Sequence, residues 1–291
     1  MIHRRPFLFI LTLFIVVILL PYDSTAARSR GHKFTKEKYR SAVVMNADTG
    51  RILYAENPDR PVPPASVTKV LSLYLTYEAL SEGKIRLDDK VRISKNAWRT
   101  KGSRMFLDPY SELTLDELIK GVSVVSANDA AVALAEYIGG DLNSFVTRMN
   151  VKARQLGMLQ SHFMNPHGLP AKGQLTTARD IAILSRNYLR RFPQSLQIHS
   201  IQSYTYRNIT QRNHNLLLKR YPGTDGIKTG FIHASGYNLT ATATRGNTRL
   251  IAVVLGARTP AIRLHETMRL LDQGFVKDEK RDPMMSSNVS K

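Results

Sequence analysis

Residues 63–75 read Pro-Pro-Ala-Ser-Val-Thr-Lys-Val-Leu-Ser-Leu-Tyr-Leu, and a change of rhythm inside this stretch decides the fold class. Upstream, Ala42-Val43-Val44-Met45 and Ile52-Leu53-Tyr54-Ala55 flank Asn46-Ala47-Asp48-Thr49-Gly50, the pattern of a β-hairpin with a glycine-containing loop. From Ser66 onward Val67, Val70, Leu71, Tyr74 and Leu75 fall at i, i+3, i+4, i+7 and i+8. That spacing predicts a helix with one face on a core, ended by Gly83. Thr114 with Glu117 reads as a capping box opening a helix over 115–122, and Thr177 with Asp180 as another opening 178–189. Between them 129–138 and 142–156 have helical spacing, broken at Gly139-Gly140. Leu239, Ala241 and Ala243 then alternate with Thr240, Thr242 and Thr244, and Arg245-Gly246-Asn247 turns the chain into the apolar run Leu250 to Leu255, suited to a buried strand.

Strands at both ends with helices between them imply an α+β fold. The N-terminal hairpin and the C-terminal strands pair into one antiparallel sheet, an inserted helical lobe fills the middle of the chain, and a last helix over 261–274 covers the sheet. Any site then sits where sheet meets lobe. A single folded block over 41–276 is expected, preceded by a basic, exposed lead-in at 28–40 and followed by a polar, disordered tail at 277–291.

Composition narrows the chemistry. With 43% hydrophobic and 22% charged residues, the 291-residue chain can bury a core, which excludes collagen-like, coiled-coil and wholly disordered readings. The absence of cysteine excludes disulfide scaffolds, thiolate metal sites and a cysteine nucleophile. Residues 1–27 have the layout of an export signal: basic His3-Arg4-Arg5, an uncharged apolar run from Phe7 to Leu20, then the small residues Ser24 to Ala27. The run is shorter than the ~20 residues of a membrane span, so an uncleaved anchor is the lesser alternative. The net charge of +19 is therefore met outside the cytoplasm, in the periplasm or on the outer face of the membrane. Anionic lipid head groups and an anionic wall polymer are the natural partners there; nucleic acid is not, and no basic helix with interleaved aromatics supports it.

Ser66 and Lys69 stand three residues apart at the start of the predicted helix, which puts an amine on the same face as a hydroxyl. A serine hydroxyl needs a neighbouring base to act as a nucleophile, and lysine is that base only when burial or a second cation lowers its pKa. The same residues also read as a helix cap and a solvated lysine, and Ser81-Glu82-Gly83-Lys84 repeats the spacing. Ser126-Ala127-Asn128 precedes a helix, where Ser126 with Asp129 also reads as a capping box; the Ser-x-Asn pattern recurs at Ser94, Ser185 and Ser286. Lys228-Thr229-Gly230 occurs once, before the alternating strand. It is not a phosphate-binding loop, since Ile227 precedes the lysine and a strand follows. A helix start, an interhelical loop and a strand can converge on one cleft between lobe and sheet.

Taken in this order, the three elements resemble the active-site serine penicillin-recognising enzymes. The resemblance extends to the D-alanyl-D-alanine carboxypeptidases, the low-molecular-mass penicillin-binding proteins. It is carried by Ser-Ala-Asn-Asp-Ala-Ala at 126–131, Asn-Pro-His-Gly-Leu at 165–169, Thr-Thr-Ala-Arg-Asp at 176–180, Asp-Gly-Ile-Lys-Thr-Gly at 225–230 and Gly-Tyr-Asn-Leu at 236–239. It covers roughly residues 40–275 and implies the fold shared by β-lactamases and DD-peptidases. It also implies that Ser66 attacks the carbonyl between two terminal D-alanines, Lys69 takes its proton, and Ser126 relays a proton to the leaving amine. Asn128 would hold Lys69 and the substrate amide, and Lys228 and Thr229 the terminal carboxylate. Gly230 belongs to the same element, and the N–H groups of Ser66 and Phe231 would form the oxyanion hole. His167 is given no chemical role beyond shaping its loop.

The activity so implied is that of an exported serine DD-carboxypeptidase acting on peptidoglycan stem peptides, with no metal or organic cofactor and with β-lactam antibiotics as covalent inhibitors. Many members continue into a β-rich domain and an anchoring helix, which this sequence does not show, and a short form also resembles the endopeptidase branch that cuts D-alanine cross-links. A β-lactamase would need a Glu-x-x-Leu-Asn loop, which is missing. A non-catalytic wall- or membrane-binding protein would not need both lysines. Hydrolases built on a Gly-x-Ser-x-Gly elbow or a His-Glu-x-x-His zinc site lack their parts.

Overall fold

The computed structural model describes residues 37–280; the export signal, most of the lead-in and the end of the tail lie outside the described residues. Strands β1 (Ser41–Asn46) and β2 (Ile52–Glu56) form the expected hairpin. They join β7 (Thr224–Ile232), β8 (Gly236–Arg245) and β9 (Thr248–Ala257) in a five-stranded antiparallel sheet of order β2-β1-β9-β8-β7. The first strand of the chain thus pairs with the last, as the layering requires.

Between the two parts of the sheet lie α1 (Lys69–Ser81), α2 (Lys95–Arg99), α3 (Leu115–Val124), α4 (Asn128–Gly139), α5 (Leu142–Gln155), α6 (Ala178–Arg191), α7 (Leu196–His199) and α8 (Leu217–Arg220). Two short ribbons, β3 (Lys90–Arg92) with β4 (Glu112–Thr114) and β5 (Ser203–Tyr206) with β6 (Ile209–Arg212), complete the insertion. Helix α9 (Pro260–Glu279) covers the far face of the sheet. Alternation along the central strands divides the core. Val43, Met45, Ile251 and Val253 belong to the cluster shared with the lobe, whereas Val44, Leu250, Ala252 and Val254 pack with Leu270, Leu271 and Phe275 of α9. With both faces covered, β9 is apolar throughout its middle.

Three local readings change. Helix α1 does not bury a single stripe: ten of its thirteen residues are buried, because it runs through the middle of the lobe among α3, α4, α5 and α6. The Thr114 capping box is formed in both halves. At Thr177 only one half exists: its side chain accepts from the Asp180 amide, while the Asp180 carboxylate turns to the Gln160 amide and the Ser161 hydroxyl. Third, the threonine side of β8 is buried, and Thr240 shares a 2.8 Å hydrogen bond with Ser185 of α6.

The limits of the folded block differ as well. Helix α9 continues through Lys277 to Glu279, and the buried Asp278 carboxylate accepts from Asn46 at 3.0 Å and Arg51 at 2.6 Å, fastening the helix end to the hairpin. At the other end Lys38 pairs with Glu266 and the Arg40 amide donates to the Leu255 carbonyl. The last residues of the lead-in therefore prolong the pairing of β1 with β9 inside the sheet, and Tyr39 is buried.

Candidate active site

Ser66 lies in a single tight 3-10 turn, Ala65–Thr68, that runs directly into α1, one turn earlier than the expected α-helical position. Three contacts fix this turn. The Asn238 amide of β8 donates to the carbonyls of Pro63 and Pro64 and accepts from the Gly256 amide. Strand β7 backs onto the turn at Gly230, where a Cβ would come within 2.9 Å of the Ser66 nitrogen. From the other side Gly168, at φ +90°, passes so close that a Cβ would lie 1.8 Å from the Ala65 oxygen. Both approaches require glycine.

Lys69 is the first residue of α1 and is fully buried. Its Nζ lies 3.0 Å from the Ser66 hydroxyl, 2.6 Å from Oδ1 of Asn128 and 2.7 Å from the main-chain oxygen of His167. Two of these three partners are carbonyl oxygens, which only accept. A neutral amine gives them its two N–H bonds and is left with its lone pair facing the hydroxyl, which can then donate to it. The surroundings favour that neutral state: burial lowers the Lys69 pKa well below the ordinary lysine range, the charge of Lys228 lowers it further, and Asp129 opposes them.

Asn128 and Ser126 come from the start of α4. Ser126 is buried at φ +62°, and the alternative reading of a capping box with Asp129 is not realised; Ala127 is the cap residue and makes no side-chain bond. The Asp129 carboxylate instead accepts from the amides of Met105 and Leu107. This clamps the 101–107 loop, whose Lys101 and Ser103 carbonyls take the Nδ2 and the amide of Asn128. Asn128 is therefore held by two carbonyls of that loop while its Oδ1 meets Lys69.

Lys228 is buried on β7, where Nζ donates to the Thr229 carbonyl at 3.1 Å. Burial, aided by the charge of Arg263, brings its pKa down to about 7. Thr229 follows, and Phe231 lies half-exposed with its ring stacked 4.3 Å from that of Tyr237. The resulting cleft has a volume of about 310 Å³ and is lined by Ser66, Ser126, Thr229, Gly230 and Phe231. Of the predicted site residues, Ser66, Ser126, Thr229, Gly230 and Phe231 line this cleft, and Lys69, Asn128 and Lys228 lie against residues that line it.

Several contributors went unread. Ser103, His214 and Arg263 also line the cleft. They stand in loops and in α9, with no motif to mark them. His167 contributes a main-chain oxygen; its ring accepts from the Leu169 amide at Nδ1, and burial, with Lys69 nearby, depresses its pKa to about 3. The Asn-Pro-His-Gly-Leu stretch was visible, but the atom it offers belongs to the backbone. No group of three or more His, Asp or Glu among the described residues is arranged to hold a metal ion.

Comparison with known proteins gives the family and the fold. A family model described as D-alanyl-D-alanine carboxypeptidase matches residues 29–259. The chain is 40% identical over 271 residues to the D-alanyl-D-alanine carboxypeptidase DacF of Bacillus subtilis, covering 91% of this chain and 70% of that protein. Penicillin binding protein 5 from Haemophilus influenzae superposes with a TM-score of 0.80 at 41% identity, over 82% of this chain and 71% of that one. Penicillin-Binding Protein D2 from Listeria monocytogenes, solved in its ampicillin-bound form, gives 0.75 at 30% identity, over 82% of this chain and 97% of that one. Among curated relatives of the same description, the chain spans from 61% to 73% of the relative's length.

Proposed function

This chain belongs to the D-alanyl-D-alanine carboxypeptidase family of serine-type peptidases, and from that premise we propose that it is an exported DD-carboxypeptidase that trims the terminal D-alanine from peptidoglycan stem pentapeptides. The observation that carries the reading is the fully buried Lys69 Nζ, 3.0 Å from the Ser66 hydroxyl and 2.6 and 2.7 Å from two carbonyl oxygens that can only accept. That is the arrangement of a nucleophile with its base in place.

The substrate's terminal carboxylate enters beside Thr229 and Lys228, and Arg263 adds a second positive charge at that end. Lys69 takes the Ser66 proton as the hydroxyl oxygen bonds to the carbonyl carbon. The developing oxyanion is met by the N–H groups of Ser66 and Phe231. Ser126 passes a proton to the departing D-alanine nitrogen, the C–N bond breaks, and an ester on Ser66 remains for water to cleave. A penicillin opens its ring by the same attack; with no Glu-x-x-Leu-Asn loop to drive water onto the ester, it stays bound as an inhibitor. Export rests on the layout of residues 1–27. No helix among the described residues is long and apolar enough to cross a membrane.

The test uses a fluorescent penicillin, a wall pentapeptide and a cross-linked peptide dimer on the parent and on Ser66→Ala. Expected are labelling and D-alanine release by the parent only, with the dimer left intact. Labelling of the variant would refute Ser66, and cleavage of the dimer in preference to the pentapeptide would make the protein an endopeptidase.

A further inference from the structure

Ser103 lines the cleft, and the next residue lines a different concavity. Arg104, with Trp98, Arg99 and Phe106, walls a cavity of about 410 Å³ outside the catalytic cleft. Trp98 and Phe106 are 41% and 49% exposed, so two aromatic side chains in the wall of one concavity meet solvent. Phe106 is moreover in the left-handed region, at φ +62°, a costly place for a bulky residue. The residues on either side of it, Met105 and Leu107, give their amides to the buried Asp129, so the structure holds this ring outward against its backbone preference. The Arg104 carbonyl is pinned by Gln211 at 3.0 Å, leaving its guanidinium free to lie over the Phe106 ring at 5.4 Å. Of the acids here, Asp108 is taken by Arg207 and Asp129 by backbone amides. Arg99 and Arg104 enter no ion pair among the described residues.

Apolar ring faces beside two uncompensated guanidinium groups suit a ligand that combines a sugar ring with carboxylates. We propose that this concavity binds the sugar-bearing, carboxylate-rich part of the same wall strand whose peptide end enters the catalytic cleft. The proposal rests on the peptidase reading of that cleft and extends its substrate class from a peptide to a glycopeptide. Ser103 of the cleft and Arg104 of this concavity are consecutive residues, so under the proposal one strand reaches from one cavity to the other. A concave pocket with defined walls suits a chain better than a membrane surface.

The test compares a diacetylated L-lysyl-D-alanyl-D-alanine tripeptide with a disaccharide pentapeptide on the full-length protein. In Trp98→Ala/Arg104→Glu, KM for the disaccharide pentapeptide rises about tenfold at unchanged kcat. Tripeptide turnover and penicillin acylation stay as in the parent. Equal losses on both substrates, or no loss on either, would overturn the site. So would loss of binding to phosphatidylglycerol vesicles with the disaccharide KM unchanged, which would make the patch a membrane contact. Calorimetry on Ser66→Ala separates this proposal from the assignment of the nucleophile. A preference of about tenfold for the disaccharide pentapeptide over the sugar-free pentapeptide, lost on adding the two substitutions, upholds the site whatever the fate of Ser66. No preference overturns it even if Ser66 is the nucleophile.

Discussion

The two buried lysines of the cleft are held in opposite ways. Lys69 is fixed by three oxygens from three separate segments, the tight turn, the start of α4 and the 165–169 loop. Lys228 has its own neighbour's carbonyl, 3.1 Å away, as its hydrogen-bond partner. Burial lowers both pKa values. The difference lies in hydrogen-bonding capacity: Lys69 has none left for a ligand, so it can only exchange a proton with Ser66, whereas Lys228 keeps N–H bonds to offer an incoming carboxylate. In the proposed mechanism the base must be immobile and the carboxylate receptor unsatisfied, and the two lysines differ in that way.

Breaking the Lys69 side gives the largest effect. Lys69→Met keeps the volume and removes the base, so penicillin acylation should slow by about 10²–10⁴-fold. Thermal stability should fall, since the buried Asn128 and His167 oxygens lose their donor. Acylation within a factor of ten of the parent would show that the amine is not the base. Asn128→Ala should slow acylation by less, because the His167 oxygen still holds one N–H.

The Lys228 side should respond in pH dependence more than in maximal rate. Its charge helps to keep Lys69 neutral, so in Lys228→Met the Lys69 pKa rises. The acid limb of kcat/KM requires neutral Lys69 and therefore moves to higher pH. KM for peptides with a free terminal carboxylate rises as well, while an amidated peptide end is little affected. An acid limb that stays in place would mean that burial alone sets the state of Lys69.

What the sequence revealed follows the same division. The placement of Ser66 with Lys69 and of Lys228 with Thr229, to which the proposed mechanism assigns the chemistry, was legible because their spacing in the chain already brings them close. The sheet was legible because the 250–255 run and the hairpin turn each admit one reading. Helix α1 looked amphipathic because its stripe is real, yet Ser72 and Thr76 on its other side are buried too, their hydroxyls satisfied by the carbonyls of Pro166 and Ser72. Polar residues that bond backbone inside a core are indistinguishable in sequence from polar residues facing water. The same limit hid the His167 oxygen, since a main-chain acceptor leaves no residue-type signal. The outward ring of Phe106 is set by a carboxylate 23 positions away, and no local pattern records it.

The smallest effect sharpens the comparison from outside the cleft, where each lysine has an imidazole near it, His167 partly buried and His199 buried. His167 beside Lys69 and His199 beside Lys228 both have pKa values lowered to about 3, first by burial and then by the lysine charge. An unfolded histidine titrates near 6.5. Above that pH neither state binds a proton and the pair contributes nothing to the pH dependence. Between about 6.5 and 3 the unfolded chain takes up protons that the folded one refuses, so stability falls as pH falls, by about 1.4 kcal/mol per pH unit for each imidazole. In His199→Gln, which can still bond the Tyr188 hydroxyl now 3.1 Å from the ring, one of those protons is removed from the balance. Urea midpoints at pH 4, 5, 6 and 7 should then decline less steeply with acid than in the parent. An unchanged slope would mean that His199 gains its proton in the folded protein, next to Lys228, and that the second lysine is less enclosed than the first.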